Sequence, residues 1–124
     1  MNQATTIAVP TETGGLDGRR SAHFGHADSF TLVMVDSEGE PSFSVIANPP
    51  HVQGGCMRTV ALLAGHDVGS VIVTGIGGGP LAGLRQAGIT VYFDDEHPVV
   101  RDAVTALLAG QLAEIKPGQA CRGH

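Results

Sequence analysis

The chain has 124 residues, of which 42% are hydrophobic and 15% charged, and its formal net charge is -5. That length makes one compact domain burying about 65 to 70% of its unfolded surface, and the composition excludes a disordered chain. No apolar stretch approaches the length of a membrane span. Seven Lys and Arg against twelve acidic residues, with Arg19-Arg20 as the only adjacent basic pair, argue against nucleic acid as a partner, because few counterions would be released.

The opening MNQATTIAVP has no basic segment followed by a long apolar run, so the expected location is cytoplasmic. Two cysteines, Cys56 and Cys121, are too few for a disulfide framework. In a reducing compartment they are thiols able to act as soft metal ligands, and a single Cys56-Cys121 disulfide also fits the count.

In chain order, Thr5 to Val9 is a β-branched run that predicts a buried first strand stopped by Pro10. Residues 11 to 20, TETGGLDGRR, form a loop too long for a tight hairpin, of the kind that lies beside a working site. Phe30 to Asp36 and Ser42 to Ala47 predict an antiparallel hairpin around the turn sequence SEGEP. Met57 to Ala64 has the Ala/Leu content of a helix, with Gly65 placed to end it in the left-handed conformation.

Ser70 to Thr74 is almost entirely apolar, as expected of a central strand covered on both faces. Pro80 opens a second helix through Ala87, Thr90 to Phe93 forms a last strand, and Val99 to Ala109 a final helix before Gly110. The predicted order is β-β-β-α-β-α-β-α, a mixed sheet with helices packed on it in a ribonuclease-H-like arrangement. Alternating apolar residues place Ile7, Val9, Leu32, Val45, Leu62, Val71, Val73, Val91 and Leu107 in the core. Residues 1-115 form the domain, and 116-124, KPGQACRGH, form a flexible Cys/His-containing tail.

Histidines and cysteines concentrate in three places. His23 and His26 flank Phe24-Gly25, where the glycine lets both imidazoles turn to one side. His51 follows Pro49-Pro50 and stands five positions before Cys56, whose thiolate a helix N-terminus would favour. Cys121 and His124 make a C-x-x-H end, half of a four-ligand structural zinc site. His66 and His97 read as surface residues, one behind Gly65 and the other in the acidic turn Asp94-Asp95-Glu96-His97-Pro98.

The run Gly75-Ile76-Gly77-Gly78-Gly79-Pro80 sits between a buried strand and a helix, where open α/β sheets receive ligands. Gly75, Gly77, Gly78 and Gly79 are therefore the candidate anion cradle, although the run lacks the Lys-Ser/Thr of a P-loop. A nuclease would need several carboxylates around two metal ions; Asp28, Asp36 and Asp94-Asp95 are too few and read as turn or cap residues. No Ser-His-Asp grouping or G-x-S-x-G elbow is present.

The sequence resembles the dinitrogenase iron-molybdenum cofactor biosynthesis family through Ile7-Ala8-Val9-Pro10, His23-Phe24-Gly25-His26-Ala27-Asp28-Ser29-Phe30, Asn48-Pro49-Pro50-His51, Val73 through Pro80, and Ala87 through Tyr92. These segments occur in the family's order, and HFGHA is the most specific of them. The resemblance implies a ribonuclease-H-like fold and a short stand-alone member that binds, carries or assembles a metal centre. That centre would be an iron-molybdenum or other metal-sulfur cofactor or its precursor, with a metalloenzyme or assembly protein as partner and no catalysis. The alternative is a small-molecule or nucleotide-binding enzyme using the glycine-rich turn.

Overall fold

The computed structural model describes residues 5–22, 24, 27–35, 41–48 and 55–115. Its elements are β1 (Thr5–Thr11), β2 (Ser29–Val35), β3 (Ser42–Ala47), α1 (Gly55–Gly65), β4 (Ser70–Val73), α2 (Gly78–Gln86), β5 (Thr90–Phe93), α3 (Val100–Leu108) and β6 (Ala113–Glu114). They form one six-stranded mixed sheet in the order β3-β2-β1-β4-β5-β6.

The hairpin expectation is met: β2 pairs antiparallel with β3 from Ser29 opposite Ala47 to Met34 opposite Ser42. β1 pairs antiparallel with β2 and parallel with β4, which is parallel to β5, so β1 and β4 are the central strands. A strand end and an extra strand differ from the sequence reading, besides shifts of one or two residues at the helix ends. β1 continues through Pro10 to Thr11, because only Ile7 and Ala8 pair with β4, and beyond them a missing N–H takes nothing from that ladder. The added β6 pairs antiparallel with β5 through Tyr92 opposite Glu114 and Phe93 opposite Ala113.

Side-chain alternation along the strands divides the core into two layers. Ala8, Phe30, Leu32, Val71, Val73 and Val91 face α1 and α2, where they meet Val60, Leu63, Leu81 and Leu84. Ile7, Val9, Val33 and Ile72 face α3 and its Val100, Ala103 and Val104. Three expected core positions change. Val45 is 46% exposed, because β3 is an edge strand that contributes nothing to the α3 layer, while Leu62 and Leu107 are half-buried.

The end of α1 also departs from expectation. Gly65 lies within the helix, and the left-handed residue is Asp67, with φ 58°. Asp67 N–H donates to Ala64 O and Val68 N–H to Leu63 O, while Val68 buries its side chain, which together form the paired closure that usually employs glycine. Gly88, at φ 82°, gives α2 the same ending.

Candidate functional site

Because β1, β4 and β5 run parallel, their carboxyl ends share one edge of the sheet, and the long loop after β1, the glycine run and the 94–99 turn all emerge there. β3, antiparallel to β2, ends at the same edge and leads toward α1. This is the side on which open α/β sheets bind ligands.

On the α1/α2 side, Phe24 is 2% exposed and meets Phe30 edge-on with ring centroids 5.4 Å apart. Its N–H donates to Gly75 O at 3.3 Å, so Phe24 of the HFGHA element is fastened to the start of the glycine run. Asn48 draws the neighbouring segment in: its N–H donates to Asp28 O, its Nδ2 to Ala27 O at 2.7 Å, and its Oδ1 accepts from Thr59 of α1 at 3.1 Å. The chain entering Pro49-Pro50-His51 is thereby tied both to HFGHA and to the first helix.

The glycine run opens α2, which begins at Gly78, two residues before Pro80. Gly77 is the extended N-cap residue and provides no side-chain cap. A Cβ placed on Gly78 or Gly79 would meet nothing within 4 Å, and neither has a positive φ. Neither steric crowding nor backbone conformation therefore requires glycine at these two positions; what they share is exposed backbone at the positive end of a helix.

A second cluster lies on the β5 side. Arg20 and Asp94, with side chains 3% and 4% exposed, pair at 2.7 Å through Nη1 and Oδ2. Arg20 Nη1 also donates to His97 O at 2.7 Å, and Nη2 donates to Asp94 O at 3.1 Å and Thr74 Oγ1 at 3.2 Å. Thr74 in turn donates to Asp94 O at 2.9 Å. Asp94 accepts the His97 N–H at 3.0 Å, and its Oδ1 stands 2.8 Å from His97 Nδ1. Arg20 Nε is buried and has no hydrogen-bond partner among the described residues.

Burial lowers the Arg20 pKa from its ordinary value, an effect opposed by Asp94 and then Asp95. Burial alone would raise the Asp94 carboxyl, but the side-chain and backbone hydrogen bonds from His97 and the Arg20 charge outweigh it, leaving the group below 3.8. The loop after β1 locks onto this cluster. Arg20 N–H donates to Pro98 O, while Leu16 O and Gly18 O accept from Arg101 and Val100 at the start of α3. Gly18 must remain glycine, since a Cβ there would collide with Thr13 O.

Of the sequence-predicted ligands, His23, His26, His51, Cys121 and His124 lie outside the described residues, and Cys56 is described only as the second residue of α1. Gly75 and Gly77 lie in the β4–α2 connection, as read, whereas Gly78 and Gly79 form the first turn of α2, which starts two residues earlier than the sequence reading placed it. Among the described residues no three His, Cys, Asp or Glu side chains converge as a metal site. His66 is exposed as expected, whereas His97 is held half-buried. Asp94 is a turn residue, as read, but also half of a buried ion pair. The Asp-x-x-His spacing after a strand was the available signal; Arg20, 74 positions away from Asp94, gave none.

Fold and edge together define a small α/β domain with its loops gathered at one end of the sheet. Residues 5–110 match the family described as Dinitrogenase iron-molybdenum cofactor, and the chain belongs to that family. It is 34% identical over 114 residues, 87% of its length, to the FeMo cofactor biosynthesis protein NifB of Rhodobacter capsulatus. It is 29% identical over 119 residues, 92% of its length, to the corresponding protein of Herbaspirillum seropedicae. It spans 24% and 22% of those proteins, about a quarter of their length. The apo form of the orange protein from Desulfovibrio gigas superposes with a TM-score of 0.77 and 31% identity, over 90% of this chain and 92% of that one. No helix among the described residues is long and apolar enough to cross a membrane.

Proposed function

We propose that this chain binds and carries a metal centre, an iron-molybdenum or other metal-sulfur cluster or its precursor, and hands it to a metalloenzyme or assembly protein without turning over a substrate. The observation that carries this reading is the bare start of α2, fastened through Gly75 O to the HFGHA element by Phe24. A cluster bearing sulfides is anionic, and backbone N–H groups free of Cβ atoms allow it close approach. Family membership and the NifB relatives support the same cargo class.

In the sequence His23 immediately precedes Phe24, and His26 follows it by two positions. Both are thus candidates to complete the cargo's coordination, together with His51 and Cys56, which follow Asn48 in the sequence. The tail starts from the opposite end: β6 runs antiparallel to β5, so the chain passes Ile115, hydrogen-bonded to Val91 O, heading toward the amino edge. Nine residues, 116–124, span up to about 30 Å when extended, and β5 measures about 13 Å, so Cys121 and His124 have the reach to fold back. We read the sheet order, with β2 antiparallel to a central β1, as ribonuclease-H-like, and the reducing cytoplasm as the compartment suited to free thiols.

Anaerobic purification followed by analysis of molybdenum, iron, copper, zinc and sulfide, with a visible spectrum, tests the proposal. Stoichiometric metal with sulfide or metal-centred absorption is the expected result. Metal-free protein that cannot be loaded, yet binds a nucleotide, would replace it with the enzyme reading of the same glycine turn.

A further inference from the structure

We propose that His97 is a point of attachment for that metal cargo, with its Nε2 as the donor atom. The inference rests on the metal-carrier reading but not on the HFGHA histidines. It starts from proton bookkeeping. Arg20 is paired with Asp94, so the Asp94 carboxylate is ionised and has only acceptors to offer. The nitrogen 2.8 Å from its Oδ1, His97 Nδ1, must then carry the hydrogen. In the neutral ring this leaves the lone pair on Nε2, the form in which an imidazole binds a metal.

The ring is also held in place. His97 donates its backbone N–H to Asp94 Oδ2, its carbonyl accepts from Arg20 Nη1, and its Nδ1 is engaged by Asp94 Oδ1. Locking the turn would need only the backbone bonds; the bond to the ring additionally fixes the tautomer and the plane of the imidazole. With the side chain 34% exposed, the residue is neither sealed in the core nor free on the surface. A histidine oriented by a carboxylate through one nitrogen, with the other left open, is the usual second layer of protein metal sites.

Its position supports the assignment. Thr74, bonded to both Arg20 and Asp94, immediately precedes Gly75, so the His97 turn and the glycine run are braced to one another. Since no three donors converge among the described residues, His97 is not part of a closed ion cage there. A single oriented imidazole suits a metal that brings ligands of its own, as a sulfide-bridged cluster does, and that leaves again on delivery.

Zinc ion serves as the probe, with the full-length, 15N-labelled, metal-free protein observed through its imidazole nitrogens by long-range NMR at neutral pH. His97 is expected as the Nδ1–H tautomer, and its Nε2 signal should move progressively as zinc is titrated in while that of His66 does not. His97→Ala should weaken zinc binding about tenfold or more, and His66→Ala should leave it unchanged. A hydrogen on Nε2 before zinc is added, a His97 signal unmoved by excess zinc, or His66 responding equally would each overturn the inference. If His23 or His26 responds and His97 does not, only this inference falls; if no histidine responds, cluster loading of the wild-type protein decides the carrier reading separately.

Discussion

At the β4 end of the carboxyl edge, Gly78 and Gly79 present backbone with no atoms waiting for a side chain, whereas at the β5 end Arg20, Asp94, Thr74 and His97 satisfy one another in a nearly closed network. One region leaves polar groups open beside solvent; the other uses a buried ion pair to hold three connections of the sheet together. In the proposed reading the glycine side receives the ligand, while the β5 side keeps the edge rigid.

The largest effect should come from breaking the closed side. Arg20→Ala leaves the buried Asp94 carboxylate without its guanidinium partner, and a loss of about 3–5 kcal/mol is expected in urea titration. A loss below about 1 kcal/mol would mean that the network does not brace the edge.

The acid limb of stability sharpens the same point. Because the folded Asp94 carboxyl lies below its ordinary 3.8, its contribution is present above that value and disappears as pH falls from 3.8 through the lower folded value. Wild-type protein should therefore lose more stability between pH 5 and pH 3 than Asp94→Asn, compared by urea midpoints. Equal losses would contradict the assigned direction.

On the open side the sign should reverse. Gly78→Ala with Gly79→Ala meets no clash and no positive φ, so the variant should unfold up to about 1 kcal/mol harder per site while its metal content falls. Full loading in the more stable variant would show that these glycines do not serve the cargo. Smallest of all, truncation before Cys121 should change stability by less than about 0.5 kcal/mol, since Ile115 and β6 are retained, but should speed metal loss. Unfolding of the shortened chain, or an unchanged off-rate, would count against the tail.

The open side was legible in the sequence and the closed side was not, for physical reasons. A strand, four glycines within five residues and a proline announce a strand-to-helix connection locally, and HFGHA carries family identity in a few adjacent residues. The Arg20–Asp94 pair depends on two residues 74 positions apart, each of which looks like a solvated charge on its own. β6 was missed because Ala113-Glu114 has no strand pattern and exists by pairing with β5. Val45 was misplaced because alternation reveals that a strand has two faces but not that it will lie at the sheet's edge.

Metal loading of a His23→Ala, His26→Ala double variant, purified anaerobically beside wild type and His66→Ala, tests the central claim most directly. The account expects stoichiometric metal in wild type and His66→Ala and a severe loss in the double variant, with circular-dichroism spectra that overlay. Full metal loading in the double variant would contradict a cargo site built on the HFGHA element at the glycine edge.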